Sequence, residues 1–413
     1  MPPVVEYEPC DHCDQPTSCN LDGSFFDAPL ERVQNFWGLV ALIAFLVLAL
    51  TSLNFFRRRW YEIFYTSHII CMLIATYGLY LHHFTGNLDV VAPYALLILL
   101  DYCLRGLRLV LRACGLGAGY ATIRSTTTLG AGQDGAGGAV VLELLMPRRV
   151  PIEAGQYFFL CVPSVSFCQW HPFSVVGSHP CEEDGTKGTL VEIAVKGLGT
   201  WSNNMVAASA QQLLTGKRIL MDGPYGELAV RPERYSHCAV FVAGVGCTPF
   251  LGLLEELQEA QMKREARTTD LRFVWSLREV ELYTHYLPLL ERAAERGASI
   301  DVYLTRTTET ELQQLNKSAH VNVHLGRPDV PGLLQSIAKH YRATHGVDTS
   351  GFGVQSHDGC ALLSCGPDSF VQSVIAHSAT AGKPVSGDES SSDFALDADV
   401  TVSFDVHTEV FEF

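Results

Sequence analysis

Residues 36–53 (FWGLVALIAFLVLALTSL) carry no charged side chain over 18 positions, and residues 63–84 carry none over 22. A helix rises about 1.5 Å per residue, so each run is long enough to cross a hydrocarbon core of about 30 Å. A third run, residues 90–111, is interrupted by Asp101, Arg105 and Arg108. Asp101 and Arg105 stand one helical turn apart in the favourable order, and arginines near a helix end can snorkel, so this run is read as a third span. Arg57, Arg58 and Arg59 fill the loop after the first run, and Arg105, Arg108 and Arg112 close the third, while residues 85–89 hold no positive charge. Basic residues gather on the cytoplasmic side. The expected arrangement therefore puts residues 1–34 outside and everything after residue 113 in the cytoplasm.

The outer segment is acidic and holds Cys10, Cys13, Cys19 and His12. Cys10-x-x-Cys13 has zinc-like spacing, but the second cysteine pair of a structural zinc site is missing, so a disulfide in an extracytoplasmic loop is the reading adopted. No basic region followed by an apolar core opens the chain, so no cleavable signal peptide is expected. The other ten of the 13 cysteines are scattered singly, which fits a reducing cytosol. With 413 residues there is room for two or three domains. The chain is 47% hydrophobic yet carries a net charge of −15. No basic patch with interleaved aromatics appears, which argues against nucleic acid as a partner.

The second apolar run carries His68 and His82, 14 residues apart. At about 100° per residue they return to nearly one face, about 20 Å apart along the axis, too far to hold one iron. Each can give one axial ligand to one of two haems stacked across the membrane, His68 on the cytoplasmic side and His82 on the outer side. The alternative is two polar residues packed in a bundle or, for His82 and His83, lying at the interface.

From about residue 120 to 227 the pattern changes to short strands and turns, with a glycine-rich loop at 130–138; residues 140–146 and 157–162 read as strands of an antiparallel barrel. The stretch His171-Pro172-Phe173-Ser174 suits an edge strand whose face holds a flat aromatic ligand, here read as a flavin, although an ordinary His-Pro turn is the alternative for the tetrapeptide alone. Residues 191–196 then form a strand, and a glycine turn leads through Gly199, Thr200 and Ser202 into a helix. Backbone amides and the helix dipole attract a diphosphate at such a place, and Lys196 adds charge, although a plain turn is the equal alternative.

Residues 237–249 form a buried strand, a glycine turn and a helix start, with Gly244, Gly246, Thr248 and Pro249 placed to let a pyrophosphate approach. Pro249 stands where the third glycine of a Rossmann turn would be. The pattern Gly-x-Gly-x-Thr-Pro is instead similar to that of the ferredoxin-reductase superfamily. Strands and helices alternate afterwards as in a doubly wound sheet: strands at 271–277, 300–305 and 359–365, helices near 283–296 and 331–341. Ser276 and Arg278 end one strand and Thr305 and Arg306 another; a hydroxyl with a guanidinium suits a 2′-phosphate, favouring NADPH over NADH. A solvated loop charge is the alternative for each arginine. Cys365-Gly366-Pro367 follows the last apolar strand, and residues 382–399, rich in serine and acid, look like a disordered insert.

Taken in order, these motifs resemble the ferric reductase and NADPH oxidase family over residues 35–413. The resemblance implies that Phe173 stacks on the isoalloxazine and Ser174 hydrogen-bonds near its reactive nitrogen. It implies that the turn after Lys196 holds the flavin diphosphate and that Gly223-Pro224-Tyr225-Gly226 closes the barrel. By the same resemblance Gly326-Arg327-Pro328 lies at the nucleotide pocket, Cys365-Gly366-Pro367 sits beside the nicotinamide, and the terminal Phe413 covers the flavin. The expected fold is multi-domain. A partial transmembrane α-helical domain (35–113) is followed by an antiparallel β-barrel FAD-binding domain (118–230) and an α/β doubly wound, ferredoxin reductase-like NADPH-binding domain (235–413). The activity implied is hydride transfer from NADPH to FAD, then single electrons through haem to ferric iron as a chelate, or alternatively to dioxygen to give superoxide. The family's haem-binding arrangement needs a second helix with a matching histidine pair, and this chain has none. Either it is a fragment or short product, or a second copy or another chain supplies the ligands. A non-catalytic regulatory subunit is the reading from another class.

Overall fold

The computed structural model describes residues 29–82, 88–113, 119–130, 138–167, 169–183, 186–228, 230–263, 265–266, 268–315, 318–344, 359–381, 383 and 402–409. Cys10, His12, Cys13, Cys19, His83, most of the glycine-rich loop, the serine- and acid-rich insert apart from Lys383, and Phe413 lie outside them. The chain divides near residue 107 into two compact units, each described by itself.

The first unit is helical. The two uncharged runs become α1 (Pro29–Thr51) and α3 (Tyr61–His82), separated by the short α2 (Asn54–Arg59) and followed by α4 (Leu88–Ala113). Arg57 to Arg59 thus belong to a short helix, not to a loop; the Trp60 amide closes it on the Phe56 carbonyl at 2.9 Å. Helices α1 and α3 meet along small residues. Ala41, Ala44 and Ala75 are buried there, and a Cβ on Gly78 would stand 3.0 Å from the Trp37 carbonyl. Large side chains such as Leu39, Leu42, Leu46, Ile70 and Leu73 point outward. That is the reverse of a water-soluble helix pair and the arrangement expected in lipid, where small residues let backbones approach. Among the described helices, α1 over Val33–Thr51 and α3 over Ile63–His82 are long and apolar enough to cross a membrane. The third run does form a helix, but its charges break the apolar stretch, and Arg105 Nε pairs with Asp101 at 2.7 Å.

The second unit opens with a closed barrel of β1 (Tyr120–Leu129), β2 (Ala139–Met146), β3 (Tyr157–Cys161), β4 (His171–Glu183), β5 (Thr186–Lys196) and β6 (Arg218–Tyr225), in the order β1-β2-β5-β4-β3-β6. All its pairings are antiparallel. Period-two alternation fills the barrel with Val140, Leu142, Leu144, Phe158, Leu160, Val191, Ile193 and Val195, and α5 (Thr200–Ala210) packs Trp201, Met205 and Val206 against that core.

A six-stranded sheet follows, assembled from β7 (His237–Ala243), α6 (Thr248–Met262), β8 (Asp270–Leu277), α7 (Val280–Glu295), β9 (Ser299–Leu304), α8 (Glu309–Gln314), β10 (Val321–Leu325), α9 (Val330–Thr344), β11 (Cys360–Cys365), α10 (Asp368–Ala381) and β12 (Phe404–Glu409). Its order is β10-β9-β8-β7-β11-β12 and every pairing is parallel. Val240 and Val242 join the core under α6 and α7, while Ala239 and Phe241 join the one under α9 and α10. Both faces are therefore covered, which explains why β7 reads as an unbroken apolar run. The sequence reading had not anticipated β10, α8 or α10.

Barrel and sheet share one core. Val141, Val176 and Ala194 point out of the barrel yet are buried with residues of α6, β7 and β8. The contact is closest at Gly252 of α6, where a Cβ would stand 2.6 Å from the Val176 carbonyl oxygen of β4. Beside it, Glu256 accepts the Ala154 amide at 2.9 Å, and Lys196 meets Glu279 at 2.8 Å. Gly252→Ala is expected to destabilise the chain by about 1–3 kcal/mol, because a backbone carbonyl cannot swing aside as a side chain can. A chemical-denaturation midpoint unchanged from wild type would show that α6 can lift off β4 at no cost.

Candidate functional site

In the sheet, strand order reverses between β7 and β11, and ligands of doubly wound sheets bind beyond the carboxyl ends of strands at such a reversal. Beyond β7 the chain turns through Gly244 to Cys247 and enters α6 with Thr248 and Pro249 buried in its first turn. Pro249 has no N–H to satisfy there. Gly244 has φ +57°, and a Cβ on it would meet nothing within 4 Å, so its backbone faces open space. Gly246 is the opposite case: a Cβ there would lie 3.0 Å from the carbonyl and Sγ of Cys365. Gly366, at φ +151°, lies equally close to Ala243. The two glycine turns and the buried Cys365, 119 residues after Gly246 in sequence, thus form one crevice wall. Trp275 Nε1 donates to the Gly244 carbonyl at 2.9 Å and holds the turn from below.

Next to this wall the ends of β8, β9 and β10 lie side by side, since Leu277 and Leu325 both pair with Leu304. The residues at and just beyond these ends, Ser276, Arg278, Thr305, Arg306 and Arg327, lie along one rim. Arg278, Arg306 and Arg327 are exposed, and none makes an ion pair among the described residues. Thr305 differs from expectation: its amide and hydroxyl both donate to the Leu277 carbonyl, at 2.9 and 3.1 Å, so the hydroxyl ties β9 to β8.

On the barrel, Ser174 is buried, Phe173 is half-buried and Pro172 is exposed. Phe173 stacks on Trp201 with ring centres 5.7 Å apart, and His171 lies 4.4 Å from the same indole. Tyr157, Phe159 and Tyr225 form an aromatic group on the adjoining strands β3 and β6. At the start of α5, Ser202 Oγ accepts the amides of Leu198 and Gly199, each at 2.9 Å, and so caps its own helix. Lys196 is engaged with Glu279. Of the four residues expected at a diphosphate, Gly199 and Thr200 are exposed at the helix start, and a Cβ on Gly199 would meet nothing within 4 Å.

Sequence reasoning missed Trp201 as the partner of Phe173, although its helical spacing to the buried Met205 was a usable signal. It also missed Glu279. Nothing local links that carboxylate to a lysine 83 residues earlier.

In the helical unit, His82 Nδ1 lies 2.7 Å from the Gln34 carbonyl, and its ring rests against Gly38 of α1. His68 places its ring 5.1 Å from Phe64, with Nδ1 buried and without a hydrogen bond. Helices α1 and α4 contain no histidine. The described helices therefore offer one imidazole at each level, and a bis-histidine iron does not fit them alone.

Three family models match the chain in succession: a ferric reductase like transmembrane component over residues 12–79, an FAD-binding domain over 137–229, and a ferric reductase NAD binding domain over 235–379. The chain belongs to the ferric reductase and NADPH oxidase family. With two apolar helices of spanning length in the stretch that matches the transmembrane component, this family member is a membrane protein. It is 25% identical over 306 residues to ferric reduction oxidase 8, mitochondrial, of Arabidopsis thaliana, covering 70% of this chain and 39% of that one. To NADPH oxidase 1 of Mus musculus it is 30% identical over 190 residues, 45% of this chain and 28% of the other. To ferric reductase transmembrane component 1 of Schizosaccharomyces pombe it is 25% identical over 381 residues, 81% and 62% of the two chains. The chain thus spans less than two-fifths of the first two relatives.

Replacing Ser202 by Ala removes the oxygen that satisfies two amides before α5. A loss of about 1 kcal/mol is expected, read from the thermal midpoint. A drop below a few tenths would mean that water caps these amides equally well.

Proposed function

We propose that this chain takes electrons from NADPH, passes them through FAD, and delivers them to ferric iron across a membrane. The observation that carries this reading is α6: its first turn belongs to the glycine crevice, and its Gly252 rests on the strand that holds His171 to Ser174. A nucleotide turn and a flavin strand are thereby fastened to each other.

The residues divide the work as follows. Phe173 gives one ring face to the flavin while Trp201 supports the other, and Ser174 donates a hydrogen bond near the reactive nitrogen. Gly199 and Thr200 offer the start of α5 to the FAD diphosphate, where backbone amides and the helix dipole favour an anion. Lys196 contributes through its pairing with Glu279, by positioning α7 against that turn. Gly244, Gly246, Thr248 and Pro249 shape the wall that admits the NADPH pyrophosphate. Ser276, Arg278, Arg306 and Arg327 hold the 2′-phosphate, with Thr305 fixing the strand ends. Cys365, Gly366 and Pro367 border the nicotinamide. When bound, FAD would take up one hydride, two electrons with a proton, and release the electrons singly. The exclusion of water falls to the buried Ser174 and Cys365.

The domain limits of this reading are 1–34 outside, 35–113 in the membrane as three spans, and a cytoplasmic remainder comprising 118–230 for FAD and 235–413 for NADPH. Its support is the set of arginines in α2 and at the end of α4. His68 and His82 could each give one axial ligand to a haem only if the second ligand came from outside the described helices, from a second copy or another chain. Dioxygen as the acceptor is the second reading, favoured by the 30% identity to the mouse oxidase.

An anaerobic titration of the full chain with NADPH tests the proposal: the flavin band should bleach stoichiometrically, and a band that persists would defeat it. Arg278→Gln and Arg306→Gln should each weaken NADPH by at least about tenfold and NADH much less, since a charged hydrogen bond contributes about 1.5–3 kcal/mol. Equal losses for both nucleotides would remove these arginines from the 2′-phosphate site. Reduction of a ferric chelate, against superoxide formed without added iron, decides the acceptor.

A further inference from the structure

At the opposite end of the sheet from the crevice, His237 opens β7 and Asp270 opens β8, and the two are register partners. Both side chains lie on the face covered by α9, whose His340 and Thr344 reach the same point. His237 Nε2 is 3.9 Å from Asp270 Oδ2, and His340 Nε2 is 3.7 Å from that same oxygen. All three ligand atoms fall within 4.8 Å of one another. A tetrahedral ion with bonds of about 2.0–2.1 Å holds its ligand atoms roughly 3.3 Å apart, so closing this triangle takes side-chain shifts of at most about 0.8 Å per ligand.

The chemistry of the set is selective. Two imidazoles and one carboxylate suit a borderline divalent cation such as zinc better than calcium or magnesium, which take oxygen ligands. Thr344 Oγ1, 2.9 Å from His237 Nε2, marks the fourth position for its hydroxyl or a water. Ser236 Oγ stands 2.9 Å from His237 Nδ1, where it can fix the tautomer that leaves the Nε2 lone pair toward the ion. One group opposes the ion: Arg272 Nε is 3.5 Å from the same Asp270 oxygen.

We infer that His237, Asp270 and His340, with Thr344, form a zinc-type cation site that clamps α9 to the amino ends of β7 and β8. The clamp would act at a distance from the crevice. Tyr341, next to His340, accepts the Gly359 amide at 3.0 Å just before β11 begins, and Cys365 is the last residue of that strand. Occupancy would therefore stiffen the strand that carries one wall of the crevice. The inference does not rest on the proposed electron acceptor or on any cofactor.

The test is equilibrium dialysis of the full chain against Zn2+, with bound metal counted, and thermal melting with and without the ion. Wild type should hold one zinc more than His340→Ala, a half-exposed position, and should melt higher when zinc is added. Arg272→Gln, which removes the competing charge, should bind zinc more tightly than wild type. Equal zinc content in wild type and a folded His340→Ala would overturn the inference. If His340→Ala gives no melting transition, Ser236→Ala carries the test: it loses only the hydrogen bond to His237 Nδ1 and should weaken zinc by ~10-fold. An affinity equal to that of wild type would then be the overturning result.

Discussion

The contact of Gly246 with Cys365 is the constraint on which the parallel sheet depends. It exists because β11 lies directly beside β7, pairing from Cys360 with His237 through Cys365 with Val242. Any side chain on Gly246 would push these strand ends apart at the point where the sheet order reverses. Both turns must leave their strands in different directions, and the positive φ of Gly244 and Gly366 allows them to do so without strain. The crevice is thus a product of backbone topology first and of side chains second.

Much of this was legible in the sequence, for reasons that can be stated residue by residue. Strands β7 and β11 are buried on both faces and read as apolar runs, and the turn at Gly244 to Pro249 announces itself by composition. The strand β10 was hidden because only Val321 of Val321–Leu325 is fully buried, leaving Asn322 and His324 exposed at the sheet edge. Side-chain partnerships were less legible than elements. Lys196 and Ser202 were read as phosphate contacts because both types suit anions. One meets a carboxylate supplied by another layer, and the other closes a loop of four residues on itself. A local motif shows which atoms are available, while tertiary packing decides which of them are already engaged.

Charge is distributed against the average. The chain is strongly acidic, yet Arg278, Arg306 and Arg327 stand exposed at the ends of three neighbouring strands. An acidic surface around a small basic rim focuses an approaching anion on that rim and discourages it elsewhere. The helical unit follows the opposite logic. Its small residues face inward and its leucines and isoleucines outward, so the medium around it, not a core within it, takes up the apolar surface.

The seat of Gly252 on the Val176 carbonyl also fixes a distance. Four helical steps separate Thr248 at the glycine turn from Gly252 on β4, a rise of about 6 Å set by hydrogen-bonded backbone. Side chains around it can be exchanged without lengthening that interval. A side chain at this one position would instead have to lift α6 off β4, so the distance between turn and strand is kept by an atom that is missing, not by one that is present.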